Sequence, residues 1–422
     1  MTYFSFNSSL SGLNANANAL NIVGNNIANA NTIGFRSSSI TFMDVYSSHN
    51  GLRLNRAGNS LQTGNGVQIA AIHTNFEEGG VNESGSPLHA AIQGNGFFVI
   101  RNADGTAGYT RAGDFTVNSD GYLVSPSGGQ VQGYQATAGV IPQGTPLAPL
   151  QLPIGQTLAP QITSEATFRM NLNSSSAPGS QFHSTMQIYD SLGTARNMDL
   201  TYTRTAVGTF EMTGTLDGNP VEFSVDGGAQ GAGPVTFTFD SNGFPTAPTT
   251  VAIIPDQTQL DGANLPSVNL NLRETNPDGS PGAFNITSYS RPSSVSATMQ
   301  DGYSAGELAG AAVDPSGHIF GIFTNGQSRI VGQYAIATFA SNDGLGRLGG
   351  NMFGETLSSG QPSIGVPGAG GRGVIAGGYL EQSNVNITNE FVELIEAQRG
   401  FQANSRVIST LNQTFQDLLQ II

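Results

Sequence analysis

The chain closes on NITNEFVELIEAQRGFQANSRVISTLNQTFQDLLQII, residues 386–422. A seam of mostly apolar positions runs through it at Ile387, Phe391, Leu394, Gln398, Phe401, Ser405, Ile408, Leu411, Phe415, Leu418 and Ile422. Steps of three and four keep these side chains on one side of a helix at about 3.5 residues per turn, up to the last residue. Gly400 is the one interruption. Asn386 stands where an N-cap belongs, its short side chain able to accept from a free N–H of the first turn.

A helix that carries Phe, Ile and Leu along one side is not stable alone in water. The other end of the chain offers a partner. Phe6, Leu10, Leu13, Ala17, Leu20, Gly24 and Ile27 repeat the three–four spacing among Asn, Ser and Ala. The two ends are therefore expected to pair as antiparallel helices, with everything between them a long excursion. Separate docking of each helix on a globular core is the other reading. A seam at both ends weighs against it.

At 422 residues the chain exceeds one ordinary core, and about two to four domains are expected. It holds 56 Gly and 23 Phe, no Trp, and only 10% charged residues, a composition that suits short strands and turns rather than a helical bundle. All 15 basic residues are Arg and there is no Cys, which excludes disulfides, thiolate metal sites and cysteine nucleophiles. The net charge of −14 comes without a basic cluster, so nucleic acid is not an expected partner. No apolar run has membrane-spanning length. Residues 1–13 lack the charged and apolar regions of a secretory signal peptide, so any export is expected to proceed without cleavage of one.

After the first helix, Asn25-Asn26-Ile27-Ala28-Asn29-Ala30-Asn31-Thr32-Ile33-Gly34-Phe35-Arg36 reads as a helix giving way to a turn. Its amides either cap that end or present a hydrogen-bonding surface to neighbouring chains. Residues 41–80, with Arg53 and Arg56, read as an extended connector with a hairpin at Val67–Ile72. From Leu88 to Ile100 the pattern is strand, Asn95-Gly96 turn, strand, and Asp104-Gly105 and Asp120-Gly121 mark two further hairpins. Period-two runs at 168–172, 182–189, 198–205, 210–215, 221–225, 235–239 and 268–272 predict an all-β sandwich or open barrel. A crossing at 277–281 leads back to strands resembling the 97–124 block.

The expected fold is mainly β with paired α-helical termini, one β domain inserted into another. Residues 1–34 and 382–422 form the helical domain, and 35–86 with 341–381 an extended connector. Residues 87–160 with 276–340 form an inner β domain, and 161–275 an outer, inserted one.

No chemistry stands out. His49, His73, His89, His183 and His318 are too far apart in sequence for a local metal pair. Asp104, Asp114, Asp120, Asp240, Asp301 and Asp314 fall in turns, where such side chains bond their own backbone. Gly94-Asn95-Gly96 lacks the Lys and helix N-terminus of a phosphate loop. No catalytic, metal or cofactor site is expected; what the sequence specifies strongly is its two ends.

Those ends carry a resemblance. Ser11-Gly12-Leu13 through Leu20, with the run from Gly24 to Arg36, resembles the N-terminal signature of bacterial flagellar rod and hook proteins. Glu381-Gln382-Ser383-Asn384-Val385-Asn386-Ile387, Glu390-Phe391, Ile395, Gln398-Arg399, Phe401-Gln402-Ala403-Asn404, Val407-Ile408 and Thr410 resemble the C-terminal one. Gln93-Gly94-Asn95-Gly96-Phe97-Phe98, Tyr109-Thr110-Arg111-Ala112-Gly113 and Asp120-Gly121-Tyr122-Leu123 fit the same family. Arg36 stands where the family usually has Lys, Asn386 where Asp is common and Gly400 where Ala is common.

Length separates the members. Rod proteins insert little between the termini, and a chain with one inserted β domain is similar to a compact hook member. The resemblance implies a structural, non-enzymatic subunit that polymerises into a curved, flexible tube and acts as a universal joint between rod and filament. It implies assembly through Leu10, Leu13, Leu20, Asn25, Asn26, Ile27, Asn29, Phe391, Leu394, Ile395, Gln398, Phe401, Gln402, Asn404, Ile408, Leu411, Phe415 and Leu418. The implied partners are further copies of the chain, the distal rod protein, the hook cap, the hook–filament junction proteins and the flagellar export apparatus, with no membrane insertion. The implied place is outside the cell, in the flagellum. The absence of Lys and Cys excludes the Lys–Cys crosslink made by some relatives. A distal rod or hook-associated junction protein shares the same termini, and a secreted β-rich adhesin or surface-layer protein is the alternative of another class.

Overall fold

The computed structural model describes residues 2–45, 64–275 and 280–421. His49, Arg53, Arg56 and most of the 277–281 crossing lie outside the described residues. Two long helices occupy the ends, α1 (Thr2–Ala28) and α2 (Ile387–Ile421), and the described chain between them is strands and turns. Asn386 caps α2 as expected, its Oδ1 accepting from the N–H groups of Thr388 and Asn389 at 3.1 and 3.3 Å. The chain divides into two compact units, the first comprising 1–154, 310–321 and 329–422, the second 155–309 and 322–328.

In the first unit the organising strand is Phe97–Arg101. Its first four residues are all buried, as a continuous apolar run implies when both faces of a strand are covered. Alternation sends Phe97 to a cluster with Tyr109, Ala337 and Phe353, while Phe98 meets Phe115 edge-on at 5.0 Å and Tyr334 at 5.6 Å. The neighbours Ala107–Thr110 and Gln130–Gln135 pair antiparallel on either side. The Asp104-Gly105 and Asp120-Gly121 turns join paired strands, as their sequence suggests.

Two local expectations are corrected. The Asn95-Gly96 turn does not close a hairpin: Ala90–Gln93 pairs with Val374–Gly377, far along the chain, and Phe97–Arg101 lies in a different ladder. Gly94 and Gly96 hold φ of 102° and 128° to make that change of direction. A Cβ on Gly96 would sit 2.2 Å from Ile336 Cγ2, so close packing explains this glycine as well as the turn does. Val67–Ile72 is no self-contained hairpin either. It forms most of β2 (Val67–Thr74), which pairs antiparallel with β1 (Ser38–Asp44) across a long intervening segment.

The connectors meet at a buried charge cluster. Glu381 is fully buried between Arg36, 2.7 Å from Oε1, and Arg111, 3.4 Å from Oε2. The Gly79 N–H also donates to Oε1, at 2.9 Å. Arg111 donates further to the carbonyls of Ile92 and Gly94, and stands over the Phe97 ring. Burial pulls the Arg111 guanidinium down, while Glu381 beside it holds it up. Asn384 fastens the same region, accepting from Ser37 N–H and donating to the carbonyls of Asn75 and Glu77. Residues 34–38, 75–83 and 379–384 are thereby bound into one collar.

The second unit is a sandwich of two six-stranded sheets. One holds the meander Gln181–Tyr189, Ala195–Ala206, Thr209–Leu216 and Val235–Phe239; the other is built around Glu165–Asn171. Inward residues of both sheets, among them Phe168, Ile188, Leu200, Tyr202, Phe237, Ile253 and Val268, make one core. The sandwich extends beyond the expected 161–275. Ile286–Thr287 and Ser294–Gln300 both pair with Glu165–Asn171, which needs them to complete its sheet. The incoming and outgoing strands of the unit are zipped together, Thr157–Leu158 against Gly306–Glu307, with a bridge from Gln161 to Tyr303.

Two outcomes follow from these cores. Glu381→Gln leaves two buried guanidinium groups without their counter-charge and should cost about 3–5 kcal/mol in the first unit's unfolding transition; a loss under 1 kcal/mol in denaturant titration would contradict the cluster's role. Tyr202 is wholly buried with its hydroxyl unpartnered. Tyr202→Phe should therefore stabilise the sandwich by about 1 kcal/mol in the same measurement, and a destabilisation would overturn that reading.

Candidate functional site: the terminal helix pair and its surroundings

The two helices pack antiparallel. Gly12 faces Asn404, Asn16 faces Gly400 and Asn26 bonds Glu390, so the α2 number falls as the α1 number rises. The residues between them are not the large ones. α1 buries Ser9, Gly12, Ala15, Ala19, Val23 and Asn26, and the register sets Ala19 opposite Ala397, both buried. Contact is close because small residues let the backbones approach.

Two reciprocal locks hold the register. Asn16 Nδ2 donates to the Gly12 carbonyl at 2.7 Å, and Asn404 Nδ2 donates to the Gly400 carbonyl at 3.0 Å. Each amide, folded back on its own helix, covers the glycine of the other. A Cβ on Gly12 would lie 2.8 Å from Asn404 Nδ2, and one on Gly400 2.6 Å from Asn16 Oδ1. Gly400, a weak point by helix propensity, is the position that admits Asn16.

Asn26 is the polar centre of the pair. Only 2% exposed, it brackets the Ser38 backbone, donating to its carbonyl at 2.8 Å and accepting from its N–H at 2.9 Å. It also donates to Glu390 Oε1 at 2.9 Å. α1, α2 and the start of β1 are thus joined through one side chain. Asn29 donates to the carbonyl and Oδ1 of Asn25, and Asn351 donates to the Ile33 carbonyl. For Asn26 and Asn29, the capping and internal bonding seen here use the amides within the chain.

The remaining assembly residues fall into two groups. Leu13, Leu20, Ile27, Leu394, Phe401, Asn404, Ile408 and Leu411 are half-buried along the helix pair. Leu10, Asn25, Phe391, Ile395, Gln398, Gln402 and Phe415 are exposed, Phe391 by 50% and Ile395 by 47%. The side chain of Leu418 lies outside the described residues. Sequence reasoning missed a further apolar surface on the β1–β2 ribbon, where Phe42, Met43, Ile69 and Ile72 are exposed. The apolar Val67, Ile69 and Ile72, close together in an otherwise polar segment, were its signal.

Among the described residues no group of three His, Asp or Glu is placed to hold a metal, and no helix is long and apolar enough to cross a membrane. Asp104, Asp240 and Asp314 accept from backbone N–H groups of their own turns, as expected. Asp301 accepts instead from Ser164 and Glu165, far along the chain, and the exposed Asp120 carboxylate bonds no described residue. Asp114 stands apart by its burial. It makes no hydrogen bond or ion pair with a described residue, and its Oδ1 is buried.

Glu390 Oε2 is likewise buried without a partner. Burial raises the Glu390 carboxyl above its ordinary 4.5, Asn26 opposes that by donating to it, and Glu393 adds to the rise. A raised acid favours the folded state only when protonated, so its charge weakens folding above the raised value and the effect disappears below about pH 4. Glu390→Gln should raise the thermal midpoint at neutral pH and leave it unchanged at about pH 4. An equal change at both would contradict this assignment.

Comparison with known proteins accords with this architecture. The chain matches the families described as flagella basal body rod protein over residues 6–36, flagellar hook protein FlgE/F/G D1 domain over 91–169, flagellar basal body protein FlaE D2 domain over 161–303, and flagellar basal body rod FlgEFG protein C-terminal over 376–421. It is 32% identical to the flagellar hook protein FlgE of Salmonella typhimurium, covering 99% of this chain and 100% of that one. With the FlgE of Borreliella burgdorferi it shares 32% identity over 98% of each. The fold is also similar to the crystal structure of Helicobacter pylori flagellar hook protein FlgE2, with a TM-score of 0.53, 16% identity, and 71% of this chain and 100% of that one covered. With its helices paired at both termini, its strands between them and its full length aligned to these relatives, the chain belongs to the flagellar hook protein FlgE family.

Proposed function

We propose that this chain is the structural subunit of a bacterial flagellar hook, polymerising into a curved tube that passes torque from rod to filament. The observation that carries the reading is the bare apolar stripe of α2. Ile387, Phe391 and Ile395 follow one another at helical spacing, each at least 45% exposed, on a chain aligned end to end with hook proteins. Apolar side chains in such a row call for cover. A copy of the same chain in a head-to-tail, non-closing arrangement supplies it and generates a helical filament.

The chain then divides its labour. The small-residue contact joins α1 to α2 within a subunit, while the large side chains and the β1–β2 ribbon join subunits. The sandwich contributes polar, Gly-rich surfaces whose hydrated contacts exchange easily during bending. The distal rod protein, hook cap and junction proteins are the partners at the ends of the tube. Export through the flagellar apparatus without a cleaved peptide places it outside the cell. The role is mechanical rather than catalytic.

Electron microscopy of concentrated protein tests this. Full-length chain should form curved tubes, a version trimmed of both helices should stay monomeric, and replacement of the sandwich unit by a short linker should leave a polymer of altered curvature or stiffness. Straight or capped short assemblies from the full chain would favour a rod or junction role. Loss of assembly after a folded sandwich deletion would refute its tuning role.

A further inference from the structure

Asp114 lines a groove of about 600 Å³ in the first unit, with Asn29, Thr32, Thr110, Ser127 and Asn351 among its other walls. The groove lies beside the C-terminal end of α1, whose last turn holds no basic residue. The partial negative charge of that helix end is therefore uncompensated from within the helix. No Arg or His lines the groove, and Asp114 is its one ionisable wall. That carboxylate makes no hydrogen bond or ion pair with a described residue, and its Oδ1 is cut off from solvent. A buried, unpartnered acceptor is costly unless something donates to it. Helix end, amide and hydroxyl walls, and carboxylate together favour a cation that brings several N–H donors.

The chain contains no Lys, so the side-chain cation that another copy supplies at neutral pH and above is a guanidinium. α2 presents two. Arg399 and Arg406 are exposed, seven residues apart and on the side that carries Phe391 and Ile395. Among the described residues neither takes part in an ion pair; the arginines that do are Arg36, Arg111, Arg169 and Arg196. The two on α2 are distinguished from the other arginines by lying beside Phe391 and Ile395.

We propose that the Asp114 groove is a subunit-docking site that receives an arginine from the exposed α2 face of a second copy, either Arg399 or Arg406. This rests on the self-assembly reading above. A planar guanidinium matches a carboxylate with paired N–H groups and still has donors for the neighbouring oxygens. The contact is heterologous, groove to helix face, and so propagates along a polymer instead of closing a dimer.

The test uses the full chain and the protein concentration needed for polymer, read by sedimentation, with circular dichroism and thermal unfolding as the check on folding. Asp114→Asn should raise that concentration about 3- to 10-fold and Asp114→Arg at least 10-fold. Arg399→Glu or Arg406→Glu should do the same, and combining Asp114→Arg with the effective α2 reversal should restore assembly to within about 3-fold of the parent. Parental assembly by folded Asp114→Asn and Asp114→Arg would overturn the proposal. So would loss in the Asp114 variants with no effect of either α2 reversal, which would assign the groove to a free cation or another segment. Failure of both reciprocal pairs, in chains that remain folded, would also overturn it. A parent chain that never polymerises would instead sink the hook reading itself.

Discussion

The connectors of the first unit converge on one carboxylate placed between two guanidinium groups. Glu381 sits at the return of the chain, Arg36 just past the first helix, and Arg111 in the β meander, and no solvent reaches the contact. The cluster is short of acceptors, since Arg36 Nε and Nη1 and Arg111 Nε are buried without partners. Such an arrangement is a poor way to gain stability. Its value lies in uniqueness, because shifting any one of the three segments leaves a charge buried alone.

That fixed collar is what allows the helix pair above it to be economical. Two glycines and two asparagines set the register of α1 on α2, and Asn26 fastens the result to Ser38. A contact of small residues between the two helices of one chain consumes little apolar surface. The large residues of the seam are then only half-covered or exposed, which is the condition a self-assembling chain requires and a monomeric globule avoids.

Much of this plan is legible in the sequence because it is local. The helices, the Asn386 cap and the Asp-Gly hairpins each depend on a few consecutive residues. What escaped was pairing at a distance. Asn95-Gly96 has the chemistry of a hairpin turn, yet Ala90–Gln93 finds its partner near residue 375, and nothing within the turn records that. The sheet contribution of 286–300 was hidden for the same reason, since those strands become recognisable only beside Glu165–Asn171. The seam was read by size, whereas helix approach is decided by the smallest residues. In the groove beside α1, Asp114 looked like its turn-capping relatives, and a buried oxygen without a donor sets it apart.

The zipped strands at 157–158 and 306–307 fix the incoming and outgoing chain of the sandwich side by side. A module whose ends already touch asks no loop-closure entropy of the chain that hosts it. Evolution can therefore enlarge, shrink or exchange such a module without retuning the rest, so members of one family can differ in bulk while keeping a common axial machinery.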